Sequence, residues 1–331
     1  MLGKKFQSLR GANHALILPH DNPDPDAIAA SWGIVHLLKK DLSLVSTIAY
    51  GGLIGRAENR AMVKELKIPL VPYKPHLIKN GPAIIMVDCQ PHTGNSSLPQ
   101  DVTPDIVIDH HPMRETTKAN HWTYVNEKMG AASTIIAATL IERKIFLTKR
   151  LATALFYAIK SETRDLGWEG TREDYDNYIS LLPRVDFKSL FRISHPPLSP
   201  LYYKSIKAAL SRSSVHRYAV VCPMDKVPYP ELPAEIADFL ILREKIEVSF
   251  TLGFYEGDLF LSLRSLKPGL DSADLMQHMV RDYGTGGGHK AMAGGKIPKV
   301  AYSKLREIEN VLTGRFLQYL SLSRSRAKKL F

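Results

Sequence analysis

Short apolar runs alternate with longer amphipathic stretches through the first half of this 331-residue chain. Residues 14–19 (HALILP), 44–50 (LVSTIAY), 83–87 (AIIMV) and 105–109 (DIVID) carry almost unbroken apolar character with many β-branched side chains, the signature of buried strands. Residues 26–40 (DAIAASWGIVHLLKK) and 131–144 (AASTIIAATLIERK) instead repeat apolar positions every three to four residues, which predicts helices. Parallel strands need crossover connections of this kind, so the first half reads as a parallel sheet of the α/β class. A further helix is expected over 151–160 (LATALFYAIK), followed by a loop over 161–170 (SETRDLGWEG), where the periodicity fails at Gly167.

Three prolines in residues 195–204 (HPPLSPLYYK) interrupt helical patterning and predict an interdomain connection. A first domain is therefore expected over 1–195, a linker or connecting helix over 196–215, and a second domain over 216–331. Strand patterns in the second domain fall at 217–223, 246–255 and 258–265, a helix at 272–283, a glycine loop at 284–295 (GTGGGHKAMAGG), and a last amphipathic helix at 303–320. No internal repeat or low-complexity segment is present.

Composition narrows the class. Apolar residues make up 44% of the chain and charged residues 23%, as in ordinary globular proteins rather than disordered ones. No run reaches the roughly 18 apolar residues of a membrane span, and the N-terminal stretch lacks the apolar core of a signal peptide, so a cytoplasmic protein with no membrane partner is expected. Two cysteines, Cys89 and Cys222, exclude a disulfide framework and a thiolate zinc site. Forty-four Lys and Arg against 33 Asp and Glu give a net charge of +11, which favours encounter with polyanions, although the basic tail at 324–331 (RSRAKKLF) contributes to it.

The informative polar residues sit directly after the apolar runs: His20, Asp24 and Asp26 after the first, Asp88 after the third, and Asp109, His110 and His111 at the end of the fourth. Carboxylates and imidazoles at desolvated strand ends are strongly disfavoured unless a metal or substrate satisfies them. In parallel sheets, ligands bind beyond these carboxyl ends. Pro23 and Pro25 stiffen the turn that carries His20, Asp24 and Asp26. Asp26 also suits a helix N-terminus without any metal. Oxygen and imidazole donors without thiolate suit Mn²⁺ or Mg²⁺, with Co²⁺ or zinc as competitors. A metal-dependent hydrolase is the first expectation.

These segments, in this order, resemble motifs I to III of the DHH phosphoesterase superfamily, whose name-giving triplet is here Asp109-His110-His111. Residues 284–295, with Gly286, Gly287, Gly288 and His289, are similar to the glycine-histidine motif of the associated DHHA1 domain, and the likeness runs from about His14 to the last helix. The resemblance implies an α/β fold: an N-terminal DHH domain with a parallel doubly wound sheet, and a smaller C-terminal α/β DHHA1 domain. It implies two Mn²⁺ ions bridged by an aspartate, with His20, Asp24 and Asp88 around one, and Asp26, Asp88, His110 and a fourth-motif carboxylate around the other. His111 would face substrate and Asp109 would orient a neighbouring imidazole. The fourth motif usually carries Asp, and here it reads Ser161-Glu162-Thr163; Glu162 is the expected ligand and Asp165 the alternative. Arg264 is similar to the family's substrate-binding arginine, and with Ser265, Gly286, Gly287, Gly288 and His289 would hold the substrate.

The compact arrangement looks like the nanoRNase and pAp-phosphatase branch. The implied activity is hydrolysis of short oligoribonucleotides or linear dinucleotides to 5′-mononucleotides, with 3′-phosphoadenosine 5′-phosphate as a further substrate and a homodimer as the base-rate assembly. A single-strand exonuclease, a cyclic-dinucleotide phosphodiesterase and a non-catalytic nucleotide sensor stand as alternatives, the last because of Glu162. A dinucleotide-binding fingerprint over Gly286, Gly288 and Ala291 is excluded, because the segment follows a helix rather than a strand.

Overall fold

A computed structural model of the chain describes residues 2–118, 122–167, 170–323 and 327–330. They divide into two compact units that meet in sequence between Pro196 and Pro197, within the proline-rich stretch. The first unit runs α1 (Leu2–Lys5), β1 (Ala15–Pro19), α2 (Pro25–Leu42), β2 (Ser46–Tyr50), α3 (Ala57–Leu66), β3 (Leu70–Pro72), β4 (Ala83–Val87), β5 (Ile106–Asp109), α4 (Glu115–Lys118), β6 (Trp122–Val125), α5 (Ala132–Glu142), α6 (Lys149–Glu162), α7 (Arg172–Leu181) and α8 (Phe187–Ser194). The loop expected over 161–170 begins instead at Thr163, because α6 extends to Glu162; its residues 168 and 169 lie outside the described residues.

The six strands form a fully parallel sheet in the order β3-β2-β1-β4-β5-β6. Side chains alternate between its faces, and both faces are covered, which is why the strands read as unbroken apolar runs. Ala15 and Ile17 of β1 pack into the large core with Ile28 and Ile34 of α2, Ile135 of α5 and Leu155 of α6. Leu16 and Leu18 face the other way, where Leu77, Ile78, Leu98 and Val102 close over them. The edge strands β3 and β6 are short and only partly buried, so their sequences carry little apolar pattern.

The second unit runs α9 (Pro200–Arg212), β7 (Ser214–His216), β8 (Ala219–Lys226), α10 (Leu232–Leu240), β9 (Val248–Tyr255), β10 (Asp258–Ser265), α11 (Ser272–Val280), β11 (Thr285–Gly288), β12 (Met292–Ile297), α12 (Leu305–Tyr319) and β13 (Lys328–Lys329). Part of the proline-rich stretch is a helix start: Pro200 is the first residue of α9, and the Ser199 hydroxyl accepts from the Tyr202 amide at 3.1 Å. A seven-stranded mixed sheet has the order β11-β12-β10-β9-β8-β7-β13, with only the β8–β9 pair parallel. Ala219 and Val221 of β8 pack beside Met276 of α11 and Phe316 of α12, while Val220 and Cys222 pack beside Ile236 of α10.

The expected glycine loop is corrected by the structure: Thr285–Gly288 is an edge strand paired antiparallel to β12, and only the segment between the two strands is a turn. In the basic tail, Lys328 and Lys329 pair antiparallel with Val215 and Ser214; residues 324–326 and 331 of that tail lie outside the described residues.

Candidate metal centre

The chain order of the parallel sheet reverses between β1 and β4, and a crevice at such a reversal is where open α/β sheets hold ligands. His20 follows β1, Asp88 follows β4, and Asp109, His110 and His111 end and follow β5, so neighbouring strands deliver all of them to one edge.

The turn after β1 is fixed on both sides. Asn22, with φ +56°, donates its amide to Gly51 O at 3.0 Å, and its side-chain oxygen accepts from Leu53 N at 2.9 Å. Asp21 accepts from the Ser97 hydroxyl at 2.7 Å. Asp24 caps α2, accepting from Ala27 N at 3.0 Å, and Pro25 occupies the first helical position. Asp26, fully buried in the first turn, accepts from Ala132 N and Ser133 N at the start of α5, both at 2.7 Å. His20 Nδ1 lies 2.9 Å from Asp21 O, and its Nε2 lies 3.7 Å from both Asp24 Oδ1 and Asp88 Oδ2.

Asp88 leaves β4 in a left-handed conformation, φ +56°, which Asp tolerates better than most residues. Its Oδ1 is buried and accepts no hydrogen bond among the described residues, although His110 Nε2 lies 3.3 Å and His111 Nδ1 3.6 Å away. His110 Nε2 is 3.8 Å from Asp26 Oδ2, and its Nδ1 is 3.2 Å from Met129 O. Asp109 accepts through Oδ1 from the amides of His110 at 2.9 Å and His111 at 3.3 Å, and lies 2.9 Å from His111 Nδ1. A residue without any sequence signal completes this corner: Gln90, buried, donates from Nε2 to Asp109 Oδ2 at 2.6 Å.

Electrostatics divide the acidic groups into two sets. Burial works to raise Asp24 and Asp109, but His20 beside the first and His111 beside the second outweigh it and hold both carboxyls well below the usual range. Asp26, Asp88 and Glu162 go the other way. Burial raises all three, Asp24 adds repulsion to each, and Glu162 is pushed up to about 8. The imidazoles mirror this pattern: burial opposes their charge, yet Asp24 carries His20 up to about 10, while Asp26 and Asp109 foremost keep His110 and His111 above the usual value. Glu162 at the end of α6 thus shares the field of Asp24, Asp26, Asp88 and His110, whereas Asp165 is largely exposed and paired with Lys160 at 2.7 Å.

Buried carboxylates that resist ionising together are stabilised by a cation. One ligand atom each from His20, Asp24 and Asp88 lies within 4.8 Å of the others, and the same holds for Asp26, Asp88 and His110 and for Asp88, Asp109 and His111. The donors are carboxylate oxygens and imidazole nitrogens, a set that fits hard or borderline divalent ions. Cys89 stays outside it: burial pushes its thiol well up, and Sγ faces Leu18 O at 3.8 Å.

The residues expected to hold substrate lie in the second unit. Arg264 is buried on β10, donating from Nε to Asp238 Oδ1 at 2.6 Å and from Nη1 to Ser262 Oγ at 2.8 Å and Leu263 O at 3.0 Å. Ser265 ends that strand and accepts from Lys267 N at 3.0 Å. Gly286, Gly287 and Gly288 form β11, and the His289 amide donates to Met292 O at 2.7 Å.

Residues 14–159 match the N-terminal domain model of the DHH family, and residues 230–316 match the DHHA1 domain model. The chain belongs to the DHH family. Its DHH domain supplies the whole acidic cluster except Glu162, which falls just beyond the matched residues. Protein MJ1633 of Methanocaldococcus jannaschii, itself uncharacterized, is 30% identical over 318 residues, a match that takes in 93% of this chain and 64% of that protein. The chain thus spans less than two-thirds of that relative's length. An exopolyphosphatase-related protein from Bacteroides fragilis shares the fold with a TM-score of 0.72 at 18% identity, covering 96% of this chain and 94% of its own. RecJ from Thermus thermophilus, solved in complex with Mg²⁺, has a TM-score of 0.50 at 13% identity, covering 96% of this chain and 52% of its own. Among the described residues, no helix is long and apolar enough to cross a membrane.

Proposed function

We propose that the chain is a cytoplasmic, divalent-metal-dependent phosphohydrolase that cleaves very short RNAs or linear dinucleotides to 5′-mononucleotides and also releases phosphate from 3′-phosphoadenosine 5′-phosphate. The observation that supports this reading most is Asp88: one buried carboxylate shared by two adjacent ligand groups, His20 with Asp24 and Asp26 with His110, with Glu162 in the same field. Two Mn²⁺ ions, the preferred pair, would supply an activated water and neutralise charge growing on the phosphoryl oxygens.

The chain's own residues account for the rest. His20, Asp24 and Asp88 would hold one ion, and Asp26, Asp88 and His110, with Glu162 in the same field, would hold the other. Asp109 keeps His111 oriented through Nδ1, and the partly exposed ring presents its other edge to a phosphoryl oxygen or leaving group. Arg264, Ser265, Gly286, Gly287, Gly288 and His289 contact the substrate, Arg264 doing so while Asp238 fixes its guanidinium.

The test is product analysis by chromatography after incubation with a 5′-phosphorylated RNA dinucleotide and Mn²⁺, beside a His110→Ala control. Mononucleotide release that needs metal and vanishes in the control supports the reading. No release at high enzyme concentration, from this substrate or from 3′-phosphoadenosine 5′-phosphate, overturns it.

A further inference from the structure

Gln90 lies two residues beyond Asp88, is 2% exposed, and makes three hydrogen bonds with one planar group. Nε2 donates to Asp109 Oδ2 at 2.6 Å and to Pro112 O at 3.1 Å, and Oε1 accepts from Arg114 N at 2.8 Å. Only one orientation of the amide satisfies this arrangement. Flipped, the carbonyl would oppose a carboxylate and a second carbonyl, and the NH₂ group would oppose an N–H. The contact to Asp109 is charge-assisted, and so is the stronger kind.

Asp109 has two oxygens with separate duties. Oδ1 takes the amides of His110 and His111 and faces His111 Nδ1 at 2.9 Å, so it orients the imidazole. Oδ2 is held by Gln90, which fixes the rotation of the carboxylate about its own bond. The same Gln90 side chain ties down Pro112 and Arg114, the segment leaving His111. An ordinary packing amide would have no reason to bridge both the carboxylate and the backbone on the far side of the histidine.

We propose that Gln90 is a positioning residue: by locking Asp109 and the 112–114 segment together, it keeps the proton of His111 on Nδ1 and the ring aimed at the substrate. This rests on the phosphohydrolase reading for its catalytic consequence, but not for its structural one.

Two variants separate the duties. Gln90→Glu can still accept from Arg114 N but opposes Asp109 with a second carboxylate; Gln90→Met keeps the volume and loses every hydrogen bond. The readout is the long-range ¹H–¹⁵N NMR spectrum of the histidine side chains in the full-length protein, with His111 assigned from a His111→Gln variant. In the wild type, His111 should carry a slowly exchanging Nδ1 proton, and both Gln90 variants should lose it while calorimetry counts the same number of bound Mn²⁺ ions. A wild-type His111 protonated on Nε2 alone, or an unchanged His111 signal in either folded variant, overturns the proposal. Should Gln90→Met fail to fold, Gln90→Glu and the wild-type spectrum decide it. Where the wild type turns over a phosphorylated dinucleotide, kcat should fall about 10- to 100-fold in the variants with KM unchanged. Absence of turnover in the wild type would count against the functional reading and leave the NMR result standing.

Discussion

Ser133 donates twice to Asp26: its amide to Asp26 Oδ1 at 2.7 Å, and its hydroxyl to Asp26 O at 3.1 Å. With Ala132 N on the other oxygen, the carboxylate is seated on the N-terminus of α5, where exposed amides and the helix dipole favour negative charge. The first turn of α2 is thereby bolted to α5, and Asp26 keeps a fixed direction before any cation arrives.

Ser133→Ala removes only the hydroxyl contact to a backbone carbonyl and leaves the amide contacts intact. It should destabilise the protein by about 1 kcal/mol in denaturant titrations and leave Mn²⁺ affinity nearly unchanged. Asp26→Ala strips both amides of their acceptor at a buried site and should cost more stability as well as one metal ion. Equal effects of the two variants on metal binding would contradict the division of labour between them.

Metal-free protein should lose stability as pH rises through neutrality. Glu162 has a folded-state pKa near 8 against a reference of 4.5, so folding is penalised progressively from pH 4.5 to 8 as only the unfolded state releases its proton; Asp26 and Asp88 act in the same sense. His20, raised from 6.5 to about 10, contributes stability that is complete below pH 6.5 and lost on the way to 10. Asp24 and Asp109, depressed, oppose the trend only below the ordinary 3.8, where falling pH removes their contribution. Thermal scans of chelator-treated protein should show Tm falling across this window, with excess Mn²⁺ reversing the fall because cations and protons compete for the same oxygens. A flat or rising Tm without metal would show that the carboxylates are not confined together.

The two carboxylates near the end of α6 should behave differently. Glu162→Gln removes one of the mutually repelling acids, so the metal-free protein should gain thermal stability while the number of Mn²⁺ ions bound in calorimetry falls from two to one. Asp165→Ala breaks a solvent-exposed pair with Lys160, a contact worth at most about 1 kcal/mol, and should leave both ions in place. The reverse outcome would transfer the ligand role to Asp165.

Much of this site is legible along the chain because parallel strands put their last residues at one edge: His20, Asp88 and Asp109 are each the polar residue that ends an apolar run. Glu162 is not legible in that way, since it ends a helix and meets Asp24, Asp26 and His110 only through the packing of α6 against α2. Gln90 leaves no trace, because an amide after a strand is commonplace and its partners Asp109 and Arg114 are 19 and 24 residues away. The strand status of Thr285–Gly288 is hidden for the opposite reason: a run of glycines has no side chains to alternate, so the period of two that marks a strand cannot be written there.

Those glycines have a packing explanation that can be tested apart from any ligand. A Cβ on Gly286 would stand 2.7 Å from Met276 Cγ and 3.2 Å from Val280 Cγ2, both on α11, so β11 can lie against that helix only without a side chain. Gly288, at φ +147°, would place a Cβ 2.3 Å from Met292 O, a backbone atom that cannot step aside. On the adjacent strand, a Cβ on Gly294 would meet nothing nearer than Leu261 O at 3.9 Å. Gly286→Ala should therefore cost about 1–3 kcal/mol by overpacking, Gly288→Ala at least as much, and Gly294→Ala within about 0.5 kcal/mol, as read by chemical denaturation. If all three glycines tolerate alanine equally, their spacing is not set by α11 and β12. The motif would then owe its glycines to close approach of a bound phosphate, which the same variants would report as weakened nucleotide binding in a fully stable protein.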